Sequence, residues 1–310
     1  MRIVFFGSPD TAIPTLCKLE EAGHELKLVV TQPDSFSGRG RNISLSAVKK
    51  AAVDRNIPVY QPQRIRKDPK ALETIQESRP DIIIVVAYGQ IIPSSIIFAP
   101  PHNSWNLHFS LLPKYRGAAP VQWALLKGEK KTGVTIFELN EKMDEGDILS
   151  SLEVPIHPRE KAYELETRLA SLGSELLINT LENIGRIKKN PQDHSQATYA
   201  PLLKKEDGKI DWTKTSAEIE NQVRAFNPWP SSYTFINNKR LKILEGKKIK
   251  GYAKNCIPGQ ILSINQFGIQ ICCKNQSIFQ MERCQPENKS SLNAVDFSHG
   301  ARIKAGDFFK

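Results

Sequence analysis

The chain is poor in cysteine, and the few it has are badly spaced for joint work. Cys17, Cys256, Cys272, Cys273 and Cys284 form no Cys-x-x-Cys pair and have no histidine at zinc-ligand spacing. No metal site is therefore expected, and reduced thiols in a cytoplasmic protein are. Long apolar runs are also missing. The strongest, residues 82–87, is far below the roughly 20 residues of a membrane-spanning helix. The opening Met1-Arg2-Ile3-Val4-Phe5-Phe6-Gly7 is too short for a secretion signal. Gly7-Ser8-Pro9 lacks the Gly-x-Gly-x-x-Gly dinucleotide fingerprint, and neither a phosphate loop nor a Gly-x-Ser-x-Gly nucleophile elbow occurs. Bound nucleotides and serine-hydrolase chemistry have no motif to rest on.

What is present suits a soluble two-domain protein. The chain has 310 residues, 40% of them hydrophobic and 25% charged, enough apolar material for a substantial core. In the first half, strand and helix signals alternate. Strands are predicted at residues 2–7, 25–31, 58–60, 81–87, 104–109, 133–139 and 148–156, with helices between them and a long amphipathic helix over 160–184. The run Ile82-Ile83-Ile84-Val85-Val86 shows no polar alternation, as a strand covered on both faces requires. The pattern predicts an α/β fold, a Rossmann-like doubly wound parallel sheet, over residues 1–188.

Residues 189–207 are polar, carry Pro191 and Pro201, and read as a linker. Short apolar segments at roughly ten-residue intervals then predict a small β-barrel or sandwich over 208–310. Charge is concentrated there: residues 209–310 hold 16 Lys and Arg against 8 Asp and Glu, an excess of 8 in a chain whose net charge is +10. Seven of those cations lie between Lys239 and Lys254, opposed only by Glu245. Such a stripe suits a polyanion, whose counterions are released on binding; a solvated lysine-rich surface is the other reading.

One constellation could carry chemistry. Asn106 and His108 stand two apart on a predicted strand, so their side chains share a face at its carboxyl end, where open parallel sheets build sites. An amide and an imidazole there can stabilise the oxyanion of an acyl-transfer intermediate. Asp144, in the loop Asn140-Glu141-Lys142-Met143-Asp144-Glu145-Gly146-Asp147, could orient His108 or help move a proton. Taken alone, each element has a plainer reading: a hydrogen-bonded core pair, and a solvated acidic loop.

The segment running from Asn106 through His108, Ser110, Leu111, Leu112, Pro113 and Arg116 to Pro120 resembles the signature of the folate-dependent formyltransferases, and within them the branch acting on charged tRNA. Further segments agree in family order: Phe6-Gly7-Ser8-Pro9-Asp10, Thr31-Gln32-Pro33-Asp34, Val86-Ala87-Tyr88-Gly89, Met143-Asp144-Glu145-Gly146-Asp147 and Arg224-Ala225-Phe226-Asn227-Pro228-Trp229-Pro230. The resemblance implies that Asn106, His108 and Asp144 are catalytic. It also implies that Ser110, Leu111, Leu112 and Pro113 lie along the folate, with Tyr88, Gly89, Gln90 and Ile91 lining the pterin pocket. The cosubstrate implied is 10-formyltetrahydrofolate, with no bound cofactor, and the acceptor is initiator methionyl-tRNA, with a monomeric enzyme expected. Arg39 and Arg41, in a glycine-containing loop, would contact the tRNA, although Asn42 and Ile43 stand where a further basic residue is expected. The last third resembles the family's OB-like domain, and Lys247 and Lys248 of its basic stripe would meet the tRNA backbone. Two rivals stay open: a sister enzyme acting on a small amine or on formyl-folate itself, and a tRNA-binding protein without catalysis.

Overall fold

The computed structural model describes residues 1–37 and 42–310, so Arg39 and Arg41 lie outside the described residues. The chain forms two compact units. The first comprises Met1–Pro120, Lys131–Pro155 and Glu166–Pro201; the second comprises Val121–Lys130, Ile156–Leu165 and Leu202–Lys310. The stretch expected to be a linker is divided between them, with Pro201 ending one unit and Leu202 resuming the other.

The strands of the first unit are β1 (Arg2–Gly7), β2 (Glu25–Val30), the short hairpin β3 (Ser35–Ser37) and β4 (Asn42–Ser44), β5 (Val59–Tyr60), β6 (Ile82–Val86), β7 (Ser104–His108), β8 (Lys131–Glu138) and β9 (Ile148–Pro155). Helices α1 (Ile13–Glu21), α2 (Ala47–Val53), α3 (Ala71–Glu77) and α4 (Ser94–Ile97) connect the early strands. Helix α5 (Pro120–Leu126), which belongs to the second unit from Val121 on, precedes β8, and α6 (Ala162–Glu182), which belongs to the first unit from Glu166 on, follows β9. Seven strands pair in the order β5-β2-β1-β6-β7-β8-β9. Pairing is parallel from β5 to β7, whereas β8 runs against both of its neighbours. The sheet is therefore mixed rather than wholly parallel as expected. Hydrophobic pattern reports which faces are covered, not which way a strand runs. All five residues of β6 are buried, and Val4, Phe6, Ile83 and Val85 share a core with Leu28 and Ile75. Each such side chain contributes about 1.5–3 kcal/mol when fully buried.

The second unit contains α7 (Ser216–Ala225), β10 (Ser232–Ile236), β11 (Lys239–Tyr252), β12 (Ile261–Asn265), β13 (Gly268–Cys272), β14 (Ser277–Pro286), β15 (Leu292–Asn293) and α8 (Ala294–Ala301). Its antiparallel sheet runs β10-β11-β14-β13-β12, with β15 added to β14. Asn237 and Asn238 both take positive φ (49° and 58°), the two-residue hairpin geometry that asparagine tolerates. Helix α7 begins at a capping box, in which Thr215 N–H donates to Glu218 Oε2 (2.8 Å) and Thr215 Oγ1 accepts from Glu218 N–H (3.4 Å). Trp212 anchors the core between Phe279 and Phe309, and its Nε1–H donates to Thr234 Oγ1 at 3.0 Å. The strand pairing is an open path, not the closed sheet expected. The terminal residues nevertheless bond to both of its ends: Phe235 on β10 and Lys310 exchange N–H···O bonds, Phe309 N–H donates to Gly259 O, and Ile261 N–H donates to Asp307 O.

The cysteines depart from expectation. Cys256 and Cys272 form a disulfide. Cys272 and Cys273 are adjacent in an extended segment and point to opposite sides, so Cys273 joins the hydrophobic core while Cys272 meets the loop carrying Cys256. A separation of 16 residues makes no local motif, so only the fold reveals the pair. Burial pushes the thiols of Cys273 and Cys284 up to about 12. Among the described residues, no helix is long and apolar enough to cross a membrane, and no group of three His, Cys, Asp or Glu side chains could hold a metal ion.

Candidate active site

Strand alternation on β7 sends Trp105 and Leu107 into the core and turns Asn106 and His108 to the other face. Asn106 is half-buried, and its carboxamide has no hydrogen-bond partner among the described residues. His108 is 6% exposed and lies edge-on to Phe137. Its Nε2 is 2.9 Å from Tyr115 O. A carbonyl can only accept, so Nε2 carries a proton, and in the neutral ring Nδ1 presents its lone pair. Asp144 Oδ2 lies 3.9 Å from that Nδ1. This is too far for a hydrogen bond but close enough to stabilise a positive charge on the ring. The Tyr115 carbonyl, rather than Asp144, therefore orients the imidazole.

Asp144 is itself held in an unusual place. Its φ is +55°, in the left-handed region that non-glycine residues seldom occupy. Its Oδ2 accepts the Gly117 N–H at 2.7 Å. Gly117 has φ +122°, and a Cβ there would stand 2.6 Å from Ala200 O, so glycine is required. The 115–119 segment is laced to residues 198–200: Tyr115 N–H donates to Thr198 Oγ1 (2.9 Å), Arg116 N–H to Thr198 O (2.8 Å), Ala200 N–H to Arg116 O (2.7 Å) and Ala119 N–H to Ala200 O (3.2 Å).

Arg116, 1% exposed, is the largest fully buried side chain among the described residues. A buried guanidinium must be compensated. Its Nη1 is 3.2 Å from Glu145 Oε1, and Gln192 Oε1 accepts from both Nε (3.2 Å) and Nη2 (2.7 Å). Nη2 also lies 3.0 Å from His194 Nδ1. Since a guanidinium only donates, this Nδ1 is an acceptor, which rules out the ion pair that its 3.8 Å separation from Glu145 would otherwise suggest. The Gln192 Nε2 donates to Asp144 O (2.9 Å) and Gly146 O (2.8 Å).

The segments expected to line a folate site are only partly open. Ser110 is fully buried; its hydroxyl donates to Lys114 O (2.6 Å), and its carbonyl accepts from Thr135 Oγ1 (2.7 Å). Thr135 Oγ1 also accepts the Leu112 N–H (3.2 Å). Leu111 packs on Gly133, and Leu112–Pro113 is a cis peptide. Thus Ser110 shapes the turn, while the half-buried Leu111 and Pro113 remain partly accessible. After β6, Ala87 and Gly89 take positive φ. Tyr88 turns its ring inward, edge-on to Phe6 at 5.1 Å, with its hydroxyl buried and without a partner among the described residues; burial raises the pKa of that hydroxyl. Tyr88 O accepts from Ser8 Oγ (3.3 Å) and Gln32 Nε2 (3.0 Å). Gln90 Oε1 accepts the Ile65 N–H (2.9 Å), and Ile91 is 65% exposed.

On β11, Lys247 Nζ is 2.7 Å from Glu282 Oε1, whereas Lys248 and Lys250 are exposed. The functional-site neighbours missed from sequence are Gln192, Thr198 and Ala200. They lie in a polar, proline-containing stretch whose composition signals only a connection.

A Rossmann-like sheet ending in an Asn-x-His face, with an aspartate loop beside it, defines a protein of the formyl transferase class. The family described as formyl transferase matches residues 1–181, and its C-terminal domain matches residues 202–302. Among curated relatives, methionyl-tRNA formyltransferase of Geobacter sulfurreducens is 42% identical over 308 residues, covering 99% of this chain and 96% of its own. That of Bacillus subtilis is 39% identical, with the same two coverages. The chain belongs to the methionyl-tRNA formyltransferase family. Solved structures share the fold at low identity. WlaRD, a sugar 3N-formyl transferase, has a TM-score of 0.67 at 22% identity, covering 94% of this chain and 99% of its own. HypX from Aquifex aeolicus, solved with tetrahydrofolic acid, has a TM-score of 0.66 at 18% identity; all of this chain matches 50% of that one.

Proposed function

We propose that the protein transfers the formyl group of 10-formyltetrahydrofolate to the α-amine of methionyl initiator tRNA in the cytoplasm. The observation that carries this reading is the full-length match, at about 40% identity, to relatives of that name in a chain that carries Asn106, His108 and Asp144. The amine attacks the formyl carbon, and the Asn106 carboxamide, which has no partner among the described residues, donates to the developing oxyanion. His108 takes the amine proton at Nδ1, becomes a cation facing Asp144, supports the oxyanion and returns the proton to the departing folate nitrogen. The Tyr115 carbonyl keeps Nε2 protonated throughout. Leu111 and Pro113, in a turn shaped by Ser110 and backed by the buried Leu112, form one wall for the folate. The Tyr88, Gly89, Gln90 and Ile91 turn forms the other, with Ile91 offering an exposed apolar surface for a flat ring and Tyr88 and Gln90 acting through the turn they brace.

In the same proposal the catalytic domain is residues 1–188, braced by Gln192 and its neighbours in the 189–207 stretch, and tRNA binding resides in 208–310, where the terminal strap supports a barrel-like sheet. Lys247 and Lys248 would meet the tRNA backbone, as would Arg39 and Arg41 from outside the described residues. The test is formylation of charged initiator tRNA from 10-formyltetrahydrofolate, with charged elongator tRNA and a small amino sugar as alternative acceptors. Preferred formylation of the initiator is expected. Equal use of the sugar, or formate release without an acceptor, would instead identify a sister enzyme.

A further inference from the structure

We infer that Gln192 is a positioning residue for formyl transfer, holding Asp144 where its carboxylate faces His108. This rests on the proposed role of Asp144 as the partner of a protonated His108. Gln192 is 6% exposed, and its amide has no idle donor. Its two N–H groups go to the carbonyls of Asp144 and Gly146, spanning the turn of the catalytic loop, while its oxygen accepts twice from Arg116.

Asp144 needs such a clamp. Its left-handed backbone is a conformation that persists when surrounding groups over-determine it. Two hydrogen bonds do so: Gly117 N–H on its carboxylate and Gln192 Nε2 on its carbonyl. Both come from one assembly, because Gly117 follows Arg116, whose guanidinium is bound to Gln192 and whose backbone is paired with Thr198 and Ala200. The 192–200 stretch is thus part of the catalytic machinery rather than a spacer. Only a glutamine-length amide offers donors and an acceptor together at that point. A glutamate would satisfy Arg116 but face two carbonyls with no proton to give them, and a shorter amide would reach only one side.

The test compares Gln192→Glu, Gln192→Asn, Asp144→Asn and the Gln192→Glu/Asp144→Asn double variant in steady-state formylation of charged initiator tRNA, each with a thermal melt. For Gln192→Glu, kcat should fall roughly 10–100-fold, the scale of a misplaced catalytic group, while KM for formyl-folate and for tRNA stays within about twofold. Gln192→Asn should give the same split. Asp144→Asn should also lower kcat, and the double variant should be no slower than Asp144→Asn alone, since both changes remove one interaction. Normal turnover in Asp144→Asn would refute the role of Asp144, and this inference with it. A slow Asp144→Asn beside a near-normal Gln192→Glu would overturn the inference alone. So would losses that multiply in the double variant, or a rise in both KM values. Failure of both Gln192 variants to fold would also overturn it, by making Gln192 a structural hub and nothing more.

Discussion

The region around Arg116 and the basic strand β11 use charge in opposite ways. In the first, one buried guanidinium is matched group for group by Glu145, Gln192 and His194, and the resulting lattice fixes the backbone of the Asp144 loop. In the second, Lys248 and Lys250 stand in solvent and only Lys247 has a close carboxylate, Glu282. The proposed chemistry on a formyl carbon depends on placement to within tenths of an ångström, and its candidate residues are tied from several sides. Attraction to a polyanion depends mainly on the number of charges and tolerates loose placement. Substitutions in the first region should therefore act on turnover, and substitutions in the second on affinity and salt dependence.

The largest effect should come from His108→Ala or Asn106→Ala, each lowering kcat by roughly 10²–10³ with the fold intact, the scale of a lost oxyanion-hole donor. Single-turnover formylation measures this, and a rate near that of the parent would remove either residue from the mechanism. Gly117→Ala comes next. Its Cβ would meet Ala200 O in a backbone region that L residues avoid, which costs about 1–3 kcal/mol and displaces the N–H that binds Asp144. Denaturant unfolding and kcat should both register the change; an alanine variant of parental stability would contradict the geometry.

The other side of the comparison predicts smaller, different shifts. Lys248→Ala with Lys250→Ala should raise KM for tRNA several-fold and leave KM for formyl-folate alone. The slope of log affinity against log salt should also become shallower, by about 0.7–0.9 for each phosphate no longer neutralised. An unchanged slope would exclude these lysines from the tRNA interface. Smallest of all is Glu282→Gln. Burial raises this carboxyl, but Lys247 and Arg159 outweigh burial and hold it below the ordinary glutamate range. A folded value below the unfolded one contributes stability at neutral pH that is lost as pH falls through the folded value. Removing the charge should cost about 1 kcal/mol at neutral pH and flatten the acid side of the melting-temperature profile. A parallel acid limb in the variant would show that another carboxylate governs it.

The opposite demands on the two regions also explain which features could be read in advance. The Asn106–Pro120 segment holds its candidate residues close together in sequence, so the strand-end pair and the family resemblance are both visible there. The strands of the first unit are visible because β1 and β6 are buried on both faces and leave continuous apolar runs. Direction is not visible in β8, whose apolar pattern would suit either sense. Helices α7 and α8 are hidden among short strands, since their buried faces are narrow and interrupted by Ser216, Gln222 and Ser298. Tyr88 is expected at a pocket wall, yet its ring belongs to the core beside Phe6.

Local order in the chain therefore determined the α/β character of the first unit, the shared face of Asn106 and His108, and the basic excess of the last third. Each is a property of neighbouring residues: the two-residue repeat of a strand, a run of apolar side chains, a count of charges. Only the tertiary structure decided the proton on His108 Nε2, the antiparallel sense of β8, the Cys256–Cys272 pairing and the tie from Gln192 to Asp144. Those depend on groups far apart in sequence. Their hydrogen bonds form because buried polar atoms must find partners wherever the fold happens to bring them.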